Sequence, residues 1–213
     1  MSDSIKVFGN VGSPYTQKIL ALLRYRNISY TVSWGDVVQN LSLLDIDPPK
    51  PVLLPTMVFS DGDNKKIAKT DTTPIIRELE DIYENKSVIP LSPVLNFLNY
   101  LLEDFADEWT TKYMFHYRWH FDEDAENAKK MLVLQHKINI DDESMKQFSD
   151  IIANRQINRL WVVGSNSDTA NLIDQSYKRY LSLMEKHLKY LPFMFGQRPS
   201  SSDFALYGQL TQL

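Results

Sequence analysis

The chain has 213 residues, of which 43% are hydrophobic and 23% charged, with a net charge of −4. That length buries an adequate core in one large or two small domains. The mild acidity excludes the basic patch a nucleic-acid partner needs, and the absence of cysteine excludes disulfides, thiolate–zinc sites and protein dithiol chemistry. The polar start Met-Ser-Asp-Ser and the lack of any long apolar run give no secretory signal and no membrane span, so a cytoplasmic protein is expected.

Ile5-Lys6-Val7-Phe8 reads as a short strand closed by Gly9-Asn10 and Gly12. From Tyr15 the period changes, and Ile19, Leu20, Leu22 and Leu23 define an amphipathic helix to about Arg26. Tyr30-Thr31-Val32-Ser33-Trp34 alternates and is rich in β-formers, giving a second strand. Strand, helix and strand in about thirty residues predict a parallel, right-handed βαβ unit.

A long polar stretch follows, and Pro48-Pro49 and Pro51 predict an irregular loop. Pro55 to Phe59 is the next strand, Ser60 to Asn64 a turn, and Lys66-Ile67-Ala68 the start of the returning strand. Thr70-Asp71-Thr72-Thr73-Pro74 carries capping side chains before a proline, the signature of a helix start. Ile75, Leu79 and Ile82 supply the buried stripe of that helix.

Asn85 to Pro90 reads as a linker, after which the strand signals cease. A long helix is predicted from Pro93 to His120 and another from about Thr169 to Leu191, with the apolar Leu160-Trp161-Val162-Val163-Gly164 between helices. The acidic Asp122 to Glu126 reads as a solvated connection. The two domains are therefore 1–85 and 92–213. The apolar helical pattern of Phe204 to Leu210 runs out at Leu213 without a terminal cap, so the natural chain is expected to extend further.

Four motifs, in order and in register over nearly the whole chain, carry a resemblance. Ser13-Pro14-Tyr15-Thr16 opens the first helix, Leu54-Pro55-Thr56 the third strand, and Asp71-Thr72 the third helix. Gly196-Gln197-Arg198-Pro199-Ser200-Ser201-Ser202-Asp203 precedes the last apolar segment. Together they resemble the cytosolic glutathione transferases of serine type. The fold so implied is an α/β thioredoxin-like amino-terminal domain followed by an all-α helical-bundle domain.

The resemblance implies glutathione as co-substrate, a small hydrophobic electrophile as second substrate, and a homodimer. Ser13 would stabilise the glutathione thiolate at a helix amino terminus, where the dipole is positive; considered alone, it reads as a helix cap. Tyr15 is the alternative hydroxyl, because other transferase classes use tyrosine. Pro55 would be the fold's cis-proline, exposing the backbone of Leu54 to the cysteinyl part of glutathione. Asp71 and Thr72 replace the commoner Glu-Ser or Gln-Ser pair and would receive the γ-glutamyl group. Gln39 and Lys50 are the candidates for the glycyl carboxylate.

Other signals have simpler readings. Ser200-x-x-Asp203 is a capping box, flanked at staple spacing by Pro199 and Phe204. His116, His120 and Asp124 are four apart, but Tyr117 stands where a zincin motif needs glutamate, so no metal site is expected. Glu103 to Trp109 mixes carboxylates with aromatics on the helix that lines the electrophile pocket in the family. Trp109, Tyr113 and Tyr117 recur every four residues, either as core packing or as a substrate-pocket wall. Two further functions stay open on the sequence: a non-catalytic binding or scaffold protein on the same fold, and a glutathione-dependent isomerase or peroxidase.

Overall fold

The computed structural model describes residues 4–60, 65–135 and 139–213. Strand β1 (Ile5–Gly9), helix α1 (Pro14–Arg26) and strand β2 (Tyr30–Trp34) form the expected βαβ unit, with Ile5 opposite Tyr30 and Gly9 opposite Trp34 in parallel register. Asn27 ends α1 in the left-handed region at φ 57°, and its N–H returns to the Arg24 carbonyl. Strands β3 (Thr56–Ser60) and β4 (Lys66–Lys69) follow antiparallel, giving the sheet order β2-β1-β3-β4. Of the turn expected at Ser60 to Asn64, residues 61–64 lie outside the described residues.

The sheet buries both faces. Val7, Met57 and Phe59 point to one side, where α1 and α3 (Thr72–Ile82) cover them with Ile19, Leu22, Leu23, Ile75, Ile76 and Leu79. Phe8 and Val58 point to the other side, against Val37, Leu41 and Ile46. These last three correct the reading of residues 35–50 as irregular loop. Val37–Ser42 is a short helix, α2, capped by the Asp36 side chain accepting from the Gln39 N–H at 2.7 Å. Its two inward positions, Val37 and Leu41, are four apart, too few for an amphipathic signal amid polar neighbours.

Helix α4 (Pro93–Asp104), a π-helical turn (Phe105–Thr110) and helix α5 (Thr111–Trp119) form the long rod the sequence predicts from Pro93 to His120. Asp122–Leu134 is a full helix, α6, so the acidic Asp122 to Glu126 is a helix start and not a connection. Asp122, Glu123 and Asp124 occupy its first turn, where carboxylates favour the dipole, and Ala125 and Ala128 face inward. Helices α7 (Asp142–Ile157) and α8 (Ala170–Leu188) complete the outer layer, with a 3₁₀ turn at Leu160–Val163 before α8. No helix among the described residues is long and apolar enough to cross a membrane.

Helix α9 (Ser201–Leu210) joins the two halves. The Ser200 N–H donates to Asp203 Oδ2 at 2.8 Å, and Asp203 Oδ1 accepts from the Met194 N–H, so this carboxylate fixes the helix start as the capping box predicts. Phe204 packs into the sheet-side core beside Tyr25. Gly208 lies against the start of α1: a Cβ there would collide with the Pro14 carbonyl oxygen and stand 3.1 Å from Lys18 Cβ. The amino end of α1 is thus held against the helical domain at van der Waals range.

Candidate active site

A cleft of about 990 Å³ runs between the two halves, and one wall comes from the loops of the amino-terminal domain. Ser13, Leu54, Asp71 and Thr72 all line it, although 58 residues separate the first from Asp71. Ser13 is the amino cap of α1, and its Oγ accepts from the Thr16 N–H at 3.3 Å. Its hydroxyl proton goes to no described residue, so the group that caps the helix can also donate into the cleft. Pro55 stands behind this wall with the Leu54–Pro55 bond cis.

Asp71 caps α3 by accepting from the Thr73 N–H at 3.1 Å, and it holds φ at 74°. A non-glycine residue in that region is strained. The strain sits where the exposed carboxylate and the buried Thr72 enter the cleft together.

The opposite wall belongs to the helical domain, and its polar floor is a buried ionic network. Lys18, 1% exposed, reaches Glu103 Oε1 at 2.9 Å and Asp107 Oδ2 at 2.6 Å. Arg77 pairs with Glu103 Oε2 at 2.7 Å, and the Ser201 hydroxyl donates to the same oxygen at 2.6 Å. Asn99 donates to Ser201 Oγ and accepts from the Ser202 N–H, tying α9 to α4. Lysine 18 sits four residues before Leu22 on the inward stripe of α1, the one sequence signal that could have marked it as buried.

The two carboxylates titrate in opposite directions. Burial pushes both up, but Lys18 and Arg77 together bring Glu103 below the usual carboxylate range. Asp107 has only Lys18, with Glu103 and Glu108 repelling its charge, and burial pushes it up to about 6. Its second oxygen, Oδ1, is buried without a hydrogen-bond partner among the described residues.

Tyr15 reaches a different end from that expected of a thiol-activating hydroxyl. Its O–H donates to the Asp107 carbonyl at 2.8 Å, and burial together with the nearby Asp107 charge pushes it up to about 12. A committed donor of that kind fastens α1 to the rod. Gln39 and Lys50 are both exposed and lie outside the cleft lining, which on that side is Val52, Leu53 and Leu54.

Trp109, Tyr113 and Tyr117 do not line the cleft, which corrects the substrate-wall alternative for them. Trp109 Nε1 donates to the Tyr113 oxygen, Tyr113 bonds Ser176 on α8, and the Tyr117 hydroxyl donates to Asp174 Oδ1 at 2.7 Å. Tyr113 and Tyr117 both pack on the ring of Tyr177. The π turn adds a residue to the helical repeat, so the facing of α4 does not carry through to α5. Thr111, Met114, Phe115, Arg118 and Trp119 face the cleft instead. His116 Nδ1 bonds Ser165 Oγ at 2.8 Å and its ring stacks on His120, while Asp124 belongs to α6.

The sequence matches the family model "Glutathione S-transferase, N-terminal domain" over residues 12–82. A search among curated proteins finds no significant match. Among solved structures the chain is similar to FzlA from C. crescentus, at TM-score 0.64 and 14% identity, covering 98% of this chain and 77% of that one. It is similar to the beta-etherase LigF from Sphingobium sp. strain SYK-6, at TM-score 0.63 and 14% identity, covering 98% and 83%. A glutathione transferase family member from Pseudomonas fluorescens pf-5, solved with two glutathione bound, aligns at TM-score 0.54 and 12% identity, covering 98% and 76%. At such identities the likeness is one of fold. With the family-model match, the β2-β1-β3-β4 sheet and the helical half behind it, residues 12–82 form a glutathione S-transferase amino-terminal domain, and the chain as a whole has the fold of the glutathione S-transferases it aligns with.

Proposed function

We propose that the chain is a glutathione transferase working in the cytoplasm, where glutathione is kept reduced. The observation that carries this reading is the convergence of Ser13, Leu54, Asp71 and Thr72 on one cleft, with the Ser13 hydroxyl proton uncommitted. Glutathione lies along the amino-terminal wall with its sulfur at Ser13. Its γ-glutamyl carboxylate meets Thr72 and the start of α3, and its ammonium meets Asp71. The glycyl carboxylate extends past Leu54 toward the loop bearing Lys50, with Gln39 as the other donor. Ser13 donates to the sulfur and, with the positive end of α1, favours the thiolate.

The thiolate then attacks an electrophilic carbon held against the helical wall. A sulfur–carbon bond forms, the leaving group departs with the bonding pair, and the thiol proton passes to solvent. Holding both reactants in one cleft supplies the proximity contribution. A second copy of the chain completes the assembly through the outer face of α4. Val94 is 68% exposed there and Phe97 65%, with Leu91 96% exposed just before the helix, a density of exposed apolar side chains that favours burial.

Thermal unfolding with and without millimolar reduced glutathione tests the reading. Glutathione at about 100 times its dissociation constant should stabilise by about 2.7 kcal/mol, several degrees for a chain this size. No shift contradicts the reading. Sedimentation should give a dimer that Phe97→Asp weakens; a monomeric parent protein contradicts the pairing.

A further inference from the structure

Ser13 follows a loop residue that the helical domain holds by its backbone. The Gly12 N–H donates to Gln135 Oε1 at 2.9 Å, and the Gly12 carbonyl accepts from Arg118 Nη1 at 2.9 Å. Gln135 follows the last turn of α6 and Arg118 lies in α5, 123 and 106 residues further along the chain. Within the loop, the Gly12 N–H also reaches Asn10 Oδ1 at 3.0 Å, and the Ser13 N–H donates to the Asn10 carbonyl at 3.0 Å. The peptide joining Gly12 to Ser13 is therefore held at its oxygen by the helical domain and at its N–H by the loop. The contact is close: a Cβ at Gly12 would fall 2.6 Å from Leu132 Cδ2 and 3.1 Å from the Gln135 amide.

Arg118 is itself fixed. Its Nε and Nη2 donate to the Gln212 carbonyl at 3.1 and 2.7 Å, and Nη2 also reaches Gln212 Oε1 at 2.9 Å. These bonds all end on neutral oxygens. Burial pushes the guanidinium down to about 10, and no carboxylate among the described residues offsets that. The group stays charged at neutral pH, and in a buried setting its charge is weakly screened.

The cap conformation of Ser13 comes from its own neighbours, but a cap alone does not fix where the hydroxyl stands relative to a ligand between two walls. Turning the Gly12–Ser13 peptide plane turns the Ser13 Cα–Cβ bond with it, and a misplacement of about 1 Å costs on the order of a hundredfold in rate. We infer that Gln135 and Arg118 are positioning residues: by gripping Gly12 from the helical domain, they aim the Ser13 hydroxyl at the sulfur of bound glutathione. The inference rests on the reading of Ser13 as the hydroxyl that meets that sulfur. The Arg118 charge, one residue from Ser13, adds to the preference for the thiolate.

Gln135→Met and Arg118→Met separate the grip from the charge, read by NMR exchange of the Gly12 amide and by ultraviolet absorbance of the bound thiolate against pH. The Gly12 amide should exchange about tenfold faster in Gln135→Met. Bound glutathione should ionise about half a pH unit higher there and about one pH unit higher in Arg118→Met. S-methylglutathione, which has no thiol to ionise, should bind both variants within about twofold of the parent affinity. Gln135→Met leaves the Arg118 bonds to Gln212 in place, so it decides the question if Arg118→Met does not fold. Unchanged Gly12 exchange in Gln135→Met overturns the grip, and faster exchange with an unmoved thiol overturns the positioning role. A thiol shift confined to Arg118→Met reduces Arg118 to a charge and overturns it as well. If the parent protein binds no S-methylglutathione, the glutathione reading falls and the aim at its sulfur with it, while Gly12 exchange still decides whether the helical domain holds the loop.

Discussion

The two walls of the cleft are built by different means. The amino-terminal wall is made of chain termini and turns: a helix cap at Ser13, a strand entry at Leu54 and a second cap at Asp71–Thr72. Each of those residues takes its position from its immediate neighbours in sequence. The helical wall is made of side chains that owe their placement to partners 80 to 100 residues away, such as Lys18 to Glu103 and Asp107, or Arg118 to Gln212. A site can therefore be half local and half tertiary, with its reactive group on the local half.

The largest effect that separates the two should come from Lys18→Met. Removing the one cation that Glu103 and Asp107 share leaves Asp107 without a counter-ion and Glu103 to Arg77 alone, and about 3–5 kcal/mol of stability should be lost. Denaturant unfolding measures it; a loss below about 1 kcal/mol would mean that the interdomain network does not hold the walls together. Next, Gly208→Ala should cost about 1–3 kcal/mol, because the added methyl meets the backbone of Pro14 and cannot be accommodated by a side-chain rotation. Unchanged unfolding would show that α9 can retreat from α1.

Ser13→Ala sharpens the contrast from the other side. Losing the cap should cost only about 1 kcal/mol of stability, while turnover should fall on the order of a hundredfold, as when one preorganised donor is removed. Comparable small losses in both would reduce Ser13 to a cap.

The smallest effect is in pH dependence. Asp107 binds its proton up to about pH 6 when folded, whereas an unfolded aspartate releases it near pH 4. Between those values the folded chain holds more protons, so this group's contribution to stability falls as pH rises and is constant above about 6. Asp107→Asn should remove that decline, worth roughly 1–3 kcal/mol across the window. Parallel stability profiles for the two proteins would contradict it.

Where position follows from local chemistry, the sequence was readable. The βαβ unit, the capped start of α3, the Ser200–Asp203 box and the rod from Pro93 onward all announce themselves within a few residues. The family resemblance supplied the Ser13, Leu54 and Asp71–Thr72 site, which spacing and capping propensity alone would have left as ordinary caps. Helix α2 was hidden because Val37 and Leu41 are its only buried residues.

On the helical wall the lettering failed for a geometric reason. Trp109, Tyr113 and Tyr117 make a regular stripe, but a stripe fixes a face and not what the face meets, and here it meets α8. The π turn resets the phase between α4 and α5, and no residue type in Phe105–Thr110 signals it.

The most direct test of the central claim is the ultraviolet absorbance of the thiolate of bound glutathione as a function of pH, in the parent protein and in Ser13→Ala. A free thiol of this kind ionises near pKa 8.5. The cleft should lower that by about one to two units, with Ser13→Ala returning it toward the free value while glutathione still binds. An unshifted thiol in the parent protein, or a shift that Ser13→Ala leaves untouched, would contradict the claim that Ser13 at the start of α1 activates glutathione.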